Sequence, residues 1–317
     1  MGDLIGKYRG CMVGLAIGDA LGYPVEFISR AEMMRRLGPE GVTDFVAGSH
    51  PAGFYSDDTQ MSLALARALF EDGHADLETI MSAVGREFVE WCMSEKNDRA
   101  PGGTCMRACR RLANGVHWRE AGKNDSKGCG TAMRATPVGL RYHGDLARLR
   151  EVAVAQSLAT HGHPCATAGS VVVAMCVDLA LSGVHPADWR DPVLDEARAH
   201  SDECARRLEQ AWGLQGVDPA EALVRIGEGW VAEEAVAAAL FCVLQSPDDY
   251  AATVLMGANT DGDSDSIACI AGAMSGARNG ADAIPETWCE RVEDAAVHSI
   301  MADALHSRWA AAQSSAG

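Results

Sequence analysis

The sequence predicts an all-α, compact, single-domain fold of roughly a dozen helices. Three observations carry that expectation. Apolar residues recur at helical spacing along most of the chain, alternating strand patterns are scarce, and aromatic residues make up only 6% of it, too few for a sandwich or barrel. The 317 residues are 48% hydrophobic and 22% charged, with both signs interspersed, which suits one large core. No stretch has the composition of a linker, so residues 1–317 are read as one domain.

The first element is a helix within "RGCMVGLAIGDALGYPVEF", where glycines at 10, 14, 18 and 22 share one face. Each costs about 1 kcal/mol relative to alanine inside a helix, so a compensating close approach of another backbone is expected. The late run "IACIAGAMSGA" offers the matching strip, Ala268, Gly272 and Gly276. Packing these two faces together makes Asp19 and Glu26 neighbours of residues 261–266. Between them, "MSLALARALFEDG" carries a stripe of Met61, Ala64, Leu65, Ala68 and Leu69 and stops at Gly73, as a C-terminal cap would. "PADWRDPVLDEARAHSDECARRLEQAW" reads as a charged helix, "VAEEAVAAALFCVL" as an alanine-rich one, and "PETWCERVEDAAVHSIMADALHSRWAA" as the last. The tail from about residue 311 is expected to fray.

Composition excludes several roles. A formal net charge of −17 argues against a nucleic-acid partner, because phosphate binding requires a basic face. Most of the acidity serves solubility, and part of it fits carboxylates gathered to bind divalent cations. No run is long and apolar enough for a membrane span and the start lacks a secretory layout, so a cytoplasmic protein is expected. Eleven scattered cysteines without a C-x-x-C pair fit reduced, buried thiols rather than disulfides or zinc ligands.

The chemistry concentrates in two acidic clusters. "NTDGDSDS" places Asp261, Asp263 and Asp265 at alternate positions directly before an apolar helix. A calcium EF-hand is excluded, because Ser266 stands where the loop needs glycine and Gly272 where it needs a bidentate glutamate. Helix capping by these residues accounts for one or two acids, not three. "YSDDTQ" puts Ser56, Asp57 and Asp58 before a second apolar helix. If the two helix starts face each other, their carboxylates and hydroxyls form an all-oxygen site suited to magnesium or manganese. Two independent capped helices remain the alternative.

Five segments, "GCMVGLAIGDALGYPVEF", "YSDDTQMSLALARAL", "KGCGTAMRATPVGL", "LATHGHPCA" and "ANTDGDSDSIACIAGAMSGARNG", together resemble the ADP-ribosylglycohydrolase family, which includes the dinitrogenase reductase-activating glycohydrolase. They occur in the family's order from Gly10 to Gly280. The resemblance implies an all-α fold and a centre of two Mg2+ or Mn2+ ions that binds ADP-ribose and cleaves its bond to a protein side chain, often arginine. It places metal ligands at Ser56, Asp57 and Asp58, and again at Asp263, Asp265 and Ser266. Asp261 stands at a usual glycine position and is read as a turn residue or an outer group. Glu26 matches a glutamate beside the metals. Gly128, Cys129, Gly130, Thr131 and Met133 fall in the loop that wraps the diphosphate and distal ribose, with Cys129 where asparagine is frequent. His161 matches a histidine that contacts substrate, whereas His163 is read as solvated or part of a turn.

A mechanism consistent with these residues has water attack the C1″ carbon of the ribose, with Glu26, Asp58 and Asp265 as the groups that exchange protons. Diphosphate binding by backbone N–H groups of Gly128, Gly130 and Thr131 at a helix start would let an acidic protein hold an anion. In "RAPGGTCMRA", Ala100 and Pro101 replace the aspartate that many arginine-specific members carry, which opens O-linked acceptors. The expected partner is an ADP-ribosylated protein. An ADP-ribosylating toxin, contacted through residues 190–210, and a non-catalytic ADP-ribose-binding role are the alternatives that the resemblance adds.

Overall fold

A computed structural model describes residues 4–316 of the chain. Seventeen α-helices and four short 3-10 turns account for its regular elements, and among the described residues there are two isolated β-bridges but no strand. The all-α expectation holds, with more helices than the dozen expected. Part of the excess comes from breaks that the apolar stripe does not announce. The charged stretch after Pro186 divides into Arg190–His200 and Asp202–Gly213, because Ser201 adopts an extended backbone and its side chain caps the second helix through the Cys204 N–H. The last predicted helix likewise divides into Glu286–Arg291 and Ala295–Ala316 around Asp294, whose φ of 51° lies in the left-handed region. The alanine-rich segment at the end forms the helix Ala295–Ala316.

The helices that position the site are those buried on all sides. The N-terminal helix, Leu4–Gly22, is enclosed from Gly10 to Gly22, as an element without a polar face must be. The helix Pro164–Leu181 is long and apolar enough to cross a membrane, yet 89% of it is buried among its neighbours, which makes it a core helix here. Ala232–Gln245 and Ser264–Asn279 complete the centre.

The glycine faces of the N-terminal and Ser264–Asn279 helices meet as expected. A Cβ added at Gly14 would lie 2.6 Å from the Gly272 carbonyl oxygen, and additions at Gly10 and Gly18 would collide with Gly276 and Ala268. At Gly22 the added atom would lie 2.5 Å from the Asp265 Cα. The stripe therefore seats the start of one helix, and with it Asp265, against the end of the other. All eleven cysteines are free thiols and most are buried, as the sequence implied.

Candidate functional site

The two acidic clusters converge, although about 200 positions separate them in the chain. Ser56 caps the helix Asp57–Asp72, its hydroxyl accepting the Asp58 N–H at 3.2 Å, so Asp57 and Asp58 occupy the first turn. Asp263 directly precedes Ser264–Asn279 without a side-chain capping bond, and its own N–H donates to the Glu228 carbonyl at 2.8 Å. Asp265 and Ser266 follow in that helix's first turn, and the Ser264 hydroxyl donates to the Gly22 carbonyl at 3.1 Å, tying this turn to the N-terminal helix. A 3-10 turn, Tyr23–Val25, then delivers Glu26 to the same place.

Oxygens of Glu26, Asp263 and Asp265 lie within 4.8 Å of one another. Asp57, Asp58, Asp263 and Asp265 are buried, and Asp58 Oδ2 and Glu26 Oε2 have no hydrogen-bond partner. Among the described residues no lysine or arginine forms an ion pair with any of them. Burial and mutual repulsion accordingly favour the protonated acids. Burial first, and then Asp265, Asp263 and Asp57, push Glu26 up to about 11; Asp57, Asp58 and Asp263 are also held well above the usual carboxylate range. Carboxylates crowded, desolvated and partly orphaned in this way fit a divalent cation, which would supply the missing charge and fill the open lone pairs.

Asp19, which the sequence suggested only as a neighbour, holds the arrangement from beneath. Its carboxylate accepts the Ser56 N–H at 2.8 Å, the Thr59 N–H at 2.9 Å and the Thr59 hydroxyl at 2.6 Å, and burial followed by Asp265 raises it to about 7. Asp261 turns away from the cluster. Its Oδ1 accepts the Arg30 N–H at 2.7 Å, so it supports the start of the helix Arg30–Leu37, in keeping with the turn-residue reading.

Above the acids opens a cleft of about 340 Å³, lined by every candidate residue named from the sequence except Ser56 and Thr131. Thr131 is fully buried and its hydroxyl donates to the Ala166 carbonyl at 2.8 Å, so its side chain supports the loop from the core side. The helix expected after Gly128 is a single 3-10 turn, Cys129–Thr131. Gly128 and Gly130 lack side chains because His161 lies against them: a Cβ at Gly128 would sit 2.9 Å from its Nε2. His161 bonds Thr160 through Nδ1 at 2.8 Å, and burial, then the charges of Arg134, Arg107 and Lys123, lower it to about 3, so the ring is neutral at physiological pH. His163 is a helix cap, its Nδ1 accepting the Cys165 N–H at 3.1 Å. Cys129 donates its thiol proton to Asp263 Oδ2 at 2.8 Å, which gives the unusual residue a bond to the acid cluster.

Three further residues carry the site and escaped the sequence reading. Arg134, fully buried, donates to the Gly130 carbonyl at 2.5 Å, to Gln156 Oε1 at 2.8 Å and to Thr160 Oγ1 at 2.7 Å, binding loop and histidine together. Phe27 and Trp230 stack at the mouth of the cleft with centroids 5.3 Å apart, and Phe27 does so with a left-handed φ of 67°. An arginine inside an apolar segment is the one signal available for the first. The aromatics carry none without the fold.

Comparison with known proteins places the chain among relatives of one family. The sequence profile described as ADP-ribosylglycohydrolase matches residues 2–315. The chain is 28% identical to the ADP-ribosyl-[dinitrogen reductase] glycohydrolase of Rhodospirillum rubrum, over 90% of this chain and 89% of that one. It is 27% identical to the ADP-ribosylarginine hydrolase Tri1 of Pseudomonas putida (strain GB-1), over 90% and 74% respectively. A solved ADP-ribosylglycohydrolase-related protein complex superposes with a TM-score of 0.79 at 25% identity, covering 98% of this chain and 100% of the other.

Proposed function

Because the chain belongs to the ADP-ribosylglycohydrolase family, we propose that it is a divalent-cation-dependent hydrolase that frees ADP-ribose from modified proteins by cleaving its N-glycosidic bond to arginine. The observation that carries the cation dependence is the convergence of buried carboxylates with unpartnered oxygens on Asp58 and Glu26. Asp57, Asp58, Asp263 and Asp265, flanked by Ser56 and Ser266, would hold two magnesium or manganese ions. Bound there, the cations supply the charge that keeps these carboxylates ionised and fixes the ribose hydroxyls. Arginine as the acceptor is favoured by the likeness to an ADP-ribosylarginine hydrolase.

The chain's own residues supply the remaining steps. Backbone around Gly128 and Gly130 receives the diphosphate, and the neutral His161 ring behind it adds no charge of its own. Water adds to C1″ as the bond to the side-chain nitrogen breaks, with positive character developing on the sugar. The water's proton passes to Asp58 or Asp265. The departing nitrogen takes a proton from Glu26, whose free oxygen borders the cleft.

A specific observation favours a second acceptor class. Ala100 and Pro101 present no charge to the cleft, so the wall on which many arginine-specific members carry an aspartate here has no carboxylate to meet a guanidinium. Incubation with proteins ADP-ribosylated on arginine and on serine, with released ADP-ribose measured, decides between them. Release from arginine supports the reading given. Release from serine alone transfers the activity to O-linked substrates, and release from neither contradicts the hydrolase.

A further inference from the structure

Lys127 directly precedes the glycine loop and is the residue through which that loop is anchored to a separate helix. Its ammonium donates to Glu233 at 2.5 Å and to Glu203 at 2.6 Å. Glu233 stands in the first turn of Ala232–Gln245 with only 4% of its side chain exposed, and its second oxygen has no partner. Ligand atoms of Cys165, Glu203 and Glu233 lie within 4.8 Å of one another, a nest of the size that holds a metal ion. Here the lysine provides its cation. The backbone follows the side chain: Ala232 N–H donates to the Lys127 carbonyl at 2.8 Å and Cys129 N–H to the Trp230 carbonyl at 3.3 Å. Arg134 holds the other end of the loop through the Gly130 carbonyl. A partly buried lysine and a fully buried arginine therefore pin the ends of the segment whose middle faces the cleft.

We infer that Lys127 is a positioning residue, a partly buried ammonium whose seat between Glu203 and Glu233 fixes the Gly128–Gly130 wall at the height at which it receives the diphosphate of ADP-ribose. That ligand assignment rests on the proposed function; the tether itself rests on the contacts. A loop left loose at one end meets its ligand less well, and loss of such a supporting contact weakens binding on the order of tenfold.

The test uses Lys127→Met, the double variant Lys127→Met/Glu233→Gln and Lys127→Arg. Calorimetric titration with ADP-ribose in the presence of manganese, melting temperature, and amide hydrogen exchange over residues 128–133 are measured on each. Lys127→Met strands a buried carboxylate and should melt lower, and the double variant should recover the melting temperature. The account expects both to bind ADP-ribose on the order of tenfold more weakly and to exchange faster across the loop, while Lys127→Arg stays close to the parent. A double variant that regains affinity and loop protection along with its stability overturns the inference, as does a folded Lys127→Met with unchanged affinity and exchange. Failure of the parent chain itself to bind ADP-ribose contradicts the proposed function, and the exchange data then judge the tether alone.

Discussion

Asp261 and Asp265 are four positions apart in one acidic run, yet the fold gives them unrelated work. Asp265 sits buried against Gly22 among the carboxylates, whereas Asp261 accepts an N–H from the start of the helix Arg30–Leu37. Their replacements should therefore differ in kind. Asp265→Asn is expected to lower the hydrolysis rate about a hundredfold by misplacing the sugar, with little loss of stability. Asp261→Gly is expected to keep the activity and lose about 1 kcal/mol, the usual worth of a helix-start acceptor. Kinetics and urea denaturation of both variants check this, and equal inactivation would show that the loop register assigned here is wrong. The acids themselves were legible because carboxylates at helix starts are conspicuous in sequence. Asp19 was less so, since the glycine repeat places it only as a neighbour of the later acids, and its bonds to Ser56 and Thr59 are what show that it supports the cluster. Thr131 and Arg134 illustrate the converse: whether a side chain in a loop faces ligand or core is set by the helices packed behind it.

At the level of elements, the contact between the N-terminal and Ser264–Asn279 helices carries the site's geometry, and glycine is what permits it. Gly14→Ala or Gly272→Ala places a Cβ on the facing backbone, where no flexible atom can yield, and should cost about 1–3 kcal/mol. Gly85, within the helix Leu77–Met93, is the control, because an added Cβ there meets nothing within 4 Å. Gly85→Ala should stabilise by about 0.4–1 kcal/mol. Equal effects at all three positions, measured by chemical denaturation, would refute the packing account. This contact was readable because the i, i+4 glycine repeat is costly unless another backbone approaches. The helix breaks at Ser201 and Asp294 were not, since the apolar stripe runs on through both without a glycine or proline to mark them. Their positions are decided by tertiary packing and local capping rather than by periodicity.

For the molecule as a whole, the central claim is that the net charge of −17 includes a cluster built around divalent cations. Folding brings those carboxylates together with no lysine or arginine paired to them among the described residues, so without a cation the native state binds protons that the unfolded chain has released. Unfolded carboxylates titrate near 4. In the folded chain Asp19 is raised to about 7 and Glu26 to about 11, while Asp57, Asp58 and Asp263 are raised as well. Groups raised in this way stabilise the fold fully below the unfolded value and lose that contribution as pH climbs through the folded one. Between about pH 7 and 7.5, unfolded histidines are mostly neutral and thiols mostly still protonated, which leaves the acids to set most of the slope. The direct measurement is the melting temperature of chelator-treated protein across that window, with and without added manganese. The account predicts a melting temperature that falls as pH rises without the cation, and a higher, nearly flat profile with it, because bound cations keep the carboxylates ionised and add binding free energy to the native state. Superimposable profiles with and without manganese would contradict it.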